Sequence, residues 1–231
     1  MTIQMYDLAG ADPARRFSPF CWRTRMALAH KGLAVETIPW RFTEKARLAA
    51  SGQGLVPVLV DGANTVADSW AIATYLEATY PQHPSLFGGP GGLAMARFIG
   101  AWTDSVVHLG VARCVVKDIW DVIDPADQPY FRESREKRFG VSLEAFVANR
   151  AETVKEFRTS LGPLRFTLTK QPYLGGEAPN YADYIVFGAF MWARNVSAFP
   201  LLEADDPVHA WRARLLAAFN GLAGNSLGYQ L

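Results

Sequence analysis

Ser18 stands directly before Pro19 and three residues before Cys21, at the head of the segment FSPFCWRTRMALAHKGL, Phe17 to Leu33. A serine in front of a proline can cap a helix while the proline fills its first turn without losing an intrahelical bond. A helix start also presents unpaired backbone N–H groups and the positive end of the helix dipole, where an anion or a thiolate is stabilised. Ser18 is therefore either a plain cap or a hydroxyl that meets a ligand, and the local residues leave both readings open. Cys21 takes the second place of a C-x-x-C-like pair whose first cysteine is replaced by serine. It is either a thiol of lowered pKa that can form a mixed disulfide or a small buried hydrophobe. Without an attacking partner it cannot run a dithiol cycle, and Cys114 lies far along the chain.

Other groups suit a polar ligand. In GQGLVPVLVDG, Gly52 to Gly62, Pro57 interrupts a β-branched run. Proline cannot donate to a sheet ladder, so the backbone of Val56 is available to something other than the sheet. Asp68-Ser69 precedes an apolar helical run and brings a carboxylate and a hydroxyl to a second helix start. Asn180 stands three residues before Asp183, the spacing of a capping box. His30, His83, His108 and His209 are scattered, with no HExxH pair or Cys/His cluster, so no metal site is expected. No GxGxxG is present, and GGPGG lacks the residues that complete a phosphate loop, which argues against nucleotide chemistry.

The elements that must position these groups change character along the chain. Thr2 to Asp7 alternates as a strand, a helix follows from Pro19 with Gly32 as its stop, and Val35 to Pro39 reads as a second strand. That order predicts a parallel pair with the helix as crossover. A short helix up to Ala50 with Thr43 as cap, two strands about Asp61-Gly62, and a helix over Trp70 to Leu76 complete β-α-β-α-β-β-α. Pro81 to Gly92 holds three prolines and four glycines and marks a domain boundary. From Leu93 only helices are predicted: Leu93 to Ile123, weakened at Gly110; Phe131 to Arg150, where Glu133 and Lys137 can pair; Thr153 to Thr169, kinked at Gly162-Pro163; Tyr184 to Arg194; and a last helix to Phe219, capped by Asp206. The expected organisation is residues 1–80, a linker over 81–92, and an all-helical part over 93–231.

The chain has 231 residues, 50% apolar and 19% charged, with net charge +1 and acids and bases interspersed. This is the composition of a globular protein without a polyanion-binding surface, so no nucleic-acid partner is expected. The opening MTIQMYDL lacks a signal-peptide pattern, no apolar run is long enough to span a bilayer, and two cysteines fit a reducing compartment; a cytoplasmic protein with no membrane partner is expected. Seven tryptophans and fourteen phenylalanines fill a core, an interface or an apolar pocket.

Together these pieces resemble the cytosolic glutathione transferase superfamily over essentially the whole chain. The matching pieces are Ser18-Pro19-Phe20-Cys21, Val56-Pro57, Asp68-Ser69 and Asn180 to Asp183. SPFCWRTRMALAHKG, LVPVLVDG, DSWAIATYLEATYP, SREKRFG, YLGGEAPNYADYIVFGAFMW and DDPVHAW are similar to the bacterial β-aryl etherase branch and its fungal relatives. The resemblance implies a thioredoxin-like β-α-β-α-β-β-α domain, a C-terminal helical bundle and glutathione as cosubstrate. It implies that Ser18 donates its hydroxyl hydrogen to the glutathione sulfur, that Val56 before a cis Pro57 pairs with the cysteinyl backbone, and that Asp68 and Ser69 hold the γ-glutamyl end. Gln53 is the first candidate for the glycyl carboxylate, with Lys45, Arg41 and Arg47 behind it. Arg16, Phe17, Phe42, Trp102, Tyr130 and Trp192 are acceptor-side candidates for an apolar, aromatic electrophile, with β-aryl ether cleavage as the branch-level expectation. The chain stops sooner than those etherases, which implies a reshaped mouth of the acceptor pocket. General conjugation or isomerisation, a peroxidase or thiol transferase using Cys21, and a non-catalytic glutathione-binding protein are the alternatives. The fold also implies a homodimer.

Overall fold

The computed structural model describes residues 2–230. Its first part is a four-stranded sheet in the order β2-β1-β3-β4, built from β1 (Ile3–Leu8), β2 (Val35–Trp40), β3 (Val58–Asp61) and β4 (Asn64–Ala67). Helix α1 (Pro19–His30) is the crossover that makes β1 and β2 parallel, while β3 runs antiparallel to both β1 and β4. Met5 and Leu59 face the core, where α1 contributes Cys21, Trp22 and Met26 and helix α2 (Ser69–Thr79) contributes Ile72 and Leu76. Gly32, at φ 66°, follows the end of α1 in the left-handed region that a Cβ would make unfavourable.

The local expectation of a capped helix after β2 fails. The segment after β2 is a 3-10 helix, Lys45–Ser51, and Thr43 does not cap it. The Thr43 hydroxyl and amide instead both donate to Asp127, 84 residues further along the chain. A cap is a local preference, and here the side chain is oriented as a donor to a buried carboxylate instead of as an acceptor for the first-turn amides.

The second part is all-helical among the described residues: α3 (Pro90–Trp102), α4 (His108–Val115), α5 (Gln128–Phe139), α6 (Leu143–Val147), α7 (Arg150–Ser160), α8 (Gly162–Leu168), α9 (Tyr181–Val196) and α10 (Pro207–Gly221). A π turn over Thr103–Val107 joins α3 to α4. Gly110 belongs in this long segment because a Cβ there would come within 2.2 Å of the Phe157 ring. The charged face of α5 pairs through Arg132 with Glu136 and Glu144, not through Glu133 and Lys137. The proline-rich connection is pinned to both parts. Leu86 and Phe87 are buried, the Leu86 amide donates to Glu77, and the Leu86 carbonyl accepts from the Tyr181 amide. Glu77 also accepts from Ser85 and pairs at 2.9 Å with the fully buried ammonium of Lys31. Burial works against the Glu77 charge, but these bonds hold its carboxyl below the usual range.

Helix α9 is buried along almost its whole length. The Asn180 side chain accepts from the Ala182 amide at 2.9 Å, and Asp183 closes the capping box by accepting from the Asn180 amide at 3.0 Å. Asp183 also accepts from the amides of Leu174 and Gly175 and from the Trp211 indole at 2.8–2.9 Å. Burial pushes its carboxyl up, and these donors oppose that shift. Because the buried Trp211 indole and three part-buried amides lose their acceptor, Asp183→Ala is expected to lower the unfolding free energy in urea by about 3 kcal/mol. A loss below about 1 kcal/mol would mean that water replaces the carboxylate.

Candidate functional site

The sheet register decides which of the sequence-predicted residues meet. Tyr6 lies opposite Val58, and Val58 lies opposite Ala67. The end of β1, the residues before β3 and the residues after β4 therefore share one end of the sheet. From that end leave the β1–α1 loop with Ser18, the Val56-Pro57 step and the Asp68-Ser69 pair. The Asp68 amide donates to the Pro57 carbonyl at 3.3 Å, which joins the last two directly.

Ser18 is the N-cap of α1, its Oγ accepting from the Cys21 amide at 3.2 Å. That bond uses a lone pair and leaves the hydroxyl hydrogen to a further acceptor, for which the Cys21 side chain is also in hydrogen-bonding reach. Cys21 lies behind it and is fully buried. Burial pushes its thiol well above the ordinary value, and the nearby carboxylate of Asp7 adds to the shift. The residue at the helix start is thus set up as a thiol in the core, without the lowered pKa that a redox nucleophile needs. Asp7 is fully buried at the end of β1, with Arg16 at 3.5 Å and Arg25 at 3.6 Å. Burial raises its carboxyl despite both cations.

The peptide bond Val56-Pro57 is cis, and Val56 stands outside the ladder. Asp68 caps α2 through Oδ1, which accepts from the amides of Trp70 at 2.8 Å and Ala71 at 3.1 Å. Its other oxygen is not used in the cap. The cap requires φ 80° at a residue with a Cβ, a conformation costing on the order of 1–3 kcal/mol. Ser69 is buried, and its carbonyl accepts from the Tyr181 hydroxyl at 2.7 Å, so α9 fixes the start of α2.

The cations near the expected glycyl end separate by their commitments. Arg41 bonds the carbonyls of Gly10 and Ala11 and faces Asp124. Arg47 is paired with Glu44 and bonds the Pro39 carbonyl. Gln53 reaches only the Leu55 carbonyl, at 3.4 Å. Lys45 has no ion pair among the described residues: its ammonium lies over the Tyr130 ring at 4.6 Å, and its stem passes Gly54, two residues before Val56.

On the acceptor side several expectations are corrected. Phe17 and Phe42 are core residues with ring centroids 6.1 Å apart. Arg16 is buried beside Asp7 and bonds the Pro13 carbonyl. Trp102 and Tyr130 are half-buried against the core, Tyr130 lying 6.2 Å from the Phe42 ring. Trp192 meets a different partner: it packs edge-on against His108 at 6.1 Å, and His108 packs edge-on against Phe20 at 5.3 Å. Phe20, two residues after Ser18, is 36% exposed. Because Gly188 touches Pro19 and the Asn195 side chain reaches the Arg16 carbonyl, α9 runs antiparallel to α1 and carries Trp192 past its start. Phe20 and His108 escaped the sequence reading. One looked like an ordinary helical aromatic, the other like a stray histidine, and the π turn that brings His108 round has no short-range signature. Arg23 bonds Asp104 at 2.7 Å behind this wall, and Asp104 faces the His108 ring at 3.4 Å.

A family model for the glutathione S-transferase C-terminal domain matches residues 94–212, more than half of the chain, and one for the N-terminal domain matches residues 17–79. The chain belongs to the glutathione S-transferase family. Glutathione S-transferase U7 of Arabidopsis thaliana is 29% identical over 208 residues, 86% of this chain and 79% of that protein. A zeta-class glutathione S-transferase of Euphorbia esula is 41% identical over 70 residues, and that match spans 28% of this chain and only 31% of the relative's length. Among solved structures, glutathione transferase GSTFuA3 of Phanerochaete chrysosporium superposes with TM-score 0.83 at 26% identity, covering 96% of this chain and 97% of its own. A glutathione S-transferase of Ceriporiopsis subvermispora, solved in complex with glutathione, has TM-score 0.79 at 26% identity, with 95% and 97% covered. The glutathione S-transferase fold, with its mixed four-stranded sheet and helical second part, thus extends along this chain, and glutathione is the family's cosubstrate.

Within this transferase, burial first and the Arg23 charge second push the His108 imidazole down from 6.5 to about 4, against the pull of Asp104. The unfolded chain therefore takes up a proton that the fold refuses as pH drops from 6.5 toward 4, so this contribution is full above that window and is lost on acidification. His108→Gln is expected to flatten part of the acid-side fall in thermal stability, a difference on the order of 3 kcal/mol between the ends of the window. Parallel Tm profiles for the two proteins would contradict the assignment.

Proposed function

We propose that this transferase activates glutathione with Ser18 and directs the thiolate at an apolar, aromatic electrophile. The observation that carries this reading is the convergence of Ser18, Val56-Pro57 and Asp68-Ser69 at one end of the sheet, with the hydroxyl hydrogen of Ser18 left over after capping. Donation from that hydroxyl, together with the first-turn amides of α1, favours thiolate over thiol. The Val56 backbone pairs with the cysteinyl part as a strand edge pairs with a peptide. The oxygen of Asp68 outside the cap takes the γ-glutamyl ammonium, while Ser69 and the start of α2 take its carboxylate. Lys45, without an ion pair among the described residues, replaces Gln53 as the leading partner of the glycyl carboxylate, with Gln53 beside it.

Phe20, His108 and Trp192 form the wall against which the acceptor's ring lies. The sulfur attacks a carbon of the acceptor; a C–S bond forms, the bond to the leaving group breaks, and the electron pair departs with that group. The motif likeness to β-aryl etherases favours a phenolate as the leaving group. Buried Cys21, with its raised pKa, argues against the thiol-transferase alternative. Ser18→Ala is expected to lower kcat/KM about 100-fold with aryl ethers or standard aromatic electrophiles, with loss of the ultraviolet absorbance of bound thiolate. Cys21→Ser provides the control and retains turnover. Unchanged thiolate absorbance in Ser18→Ala would remove Ser18 from the mechanism, whereas activity on standard electrophiles without ether cleavage would remove only the etherase reading.

A homodimer is the assembly that the surface of α3 favours. Leu93, Met95 and Phe98 are exposed there, Phe98 at 68%, beside an apolar cavity of about 330 Å³ lined by Thr74, Ala78, Phe87, Pro90 and Leu93. Such a patch suits burial against a second copy. Two free cysteines are consistent with a cytoplasmic location, and no helix among the described residues is long and apolar enough to cross a membrane. Phe98→Glu is expected to yield a monomer in sedimentation velocity under conditions where the unsubstituted protein sediments as a dimer. A variant that still sediments as a dimer would place the interface elsewhere.

A further inference from the structure

Asp127 stands at the N-cap position of α5, yet its side chain makes no capping bond to its own helix. It is fully buried, and its acceptors are turned across the fold to the segment between β2 and the 3-10 helix. Oδ2 accepts from the Phe42 amide at 3.1 Å; Oδ1 accepts from the Thr43 amide at 3.0 Å and the Thr43 hydroxyl at 2.8 Å. A carboxylate placed to cap one helix has been diverted to hold another segment, at the cost of the bond usually made at that position.

The clamped segment leads directly to Lys45. Its stem lies against Gly54, and its ammonium rests on Tyr130, three residues after Asp127 on the same helix. The helix that grips residues 42 and 43 therefore also seats the cation two residues on. The Arg135 guanidinium lies 5.0 Å from the Phe42 ring centroid, giving α5 a further contact with the same segment. A long, flexible lysine side chain loses much rotamer freedom when it meets a carboxylate, and fixing its backbone and stem beforehand reduces that loss.

We propose that Asp127 is a positioning residue that presets Lys45 for the glycyl carboxylate of glutathione, so that the helical part of the fold tunes recognition of the cosubstrate. The inference rests on the assignment of Lys45 made above. Asp127 does not touch the thiol or the acceptor, so its effect falls on glutathione affinity, at the glycyl end alone.

The test compares glutathione with its glycyl monoethyl ester, which lacks the charge Lys45 would meet. For Asp127→Asn we expect KM for glutathione to rise about tenfold, the value of one charge-assisted hydrogen bond, with kcat and KM for the ester unchanged. Thr43→Val, which removes only the hydroxyl donor, should move the glutathione-to-ester ratio in the same direction by a smaller factor without risk to the fold. Lys45→Met should abolish the preference, and Asp127→Asn in that background should cost nothing further. Equal weakening of both thiols by Asp127→Asn and Thr43→Val would mean a structural role and overturn the proposal. A preference lost in Lys45→Met but intact in both clamp variants would overturn it while sparing the Lys45 assignment. A preference intact in Lys45→Met would overturn both.

Discussion

Helix α9 passes so close to the start of α1 that a methyl group on Gly188 would sit 2.4 Å from the Pro19 carbonyl oxygen. No side chain other than hydrogen fits there, and much of the candidate site depends on that approach. It lets the Asn195 side chain reach the Arg16 carbonyl and Arg15 reach the Asn195 carbonyl, fixing the loop before Ser18 from both sides. It carries Trp192 past the helix start and puts Tyr181 within reach of the Ser69 carbonyl. The capping box and the four bonds to Asp183 hold α9 itself in place. A helix in the second part of the fold thereby positions both helix starts of the first.

The electrostatics around Ser18 sort the polar groups by depth. The most buried, Asp7 and Cys21, are shifted toward their neutral forms, because burial penalises charge more than the nearby arginines compensate at Asp7. Ser18, nearer the ligand side, has no charge to lose and offers a hydrogen that needs no titration. In the proposed mechanism the helix terminus and this neutral donor would stabilise the negative sulfur, while the redox-capable atom remains in the core.

Much of this architecture was legible in the sequence where the governing interaction is local. Ser18, Asp68, Asp206 and the Asn180 to Asp183 box each cap within a few residues of themselves, and the β-α-β order fixed the parallel pair. The Asp61-Gly62 turn likewise marked the antiparallel β3–β4 hairpin. What failed was non-local. Thr43 has cap chemistry, but its side chain is oriented to donate to a carboxylate 84 residues away. Phe17 and Phe42 look like pocket residues until the helices close over them. The Phe20–His108–Trp192 wall joins three separate helices through a π turn. Charge alone could not rank Arg41, Lys45 and Arg47; only their partners in the fold distinguish them.

The junction at Glu77 has a consequence for how the two parts could ever be exchanged. One carboxylate receives the buried ammonium of Lys31 from the first part and the Ser85 hydroxyl and Leu86 amide from the connection, while the Leu86 carbonyl receives the first amide of α9. The connection is therefore an internal layer of the molecule, despite its proline- and glycine-rich composition. Pulling the connection from the first part would strip Glu77 of the Ser85 and Leu86 donors, and pulling it from α9 would leave the Leu86 carbonyl and the Tyr181 amide without their bond. The fold should melt in one transition, and recombination between relatives is expected to succeed only when the crossover keeps Lys31, Glu77 and residues 85–87 from the same parent.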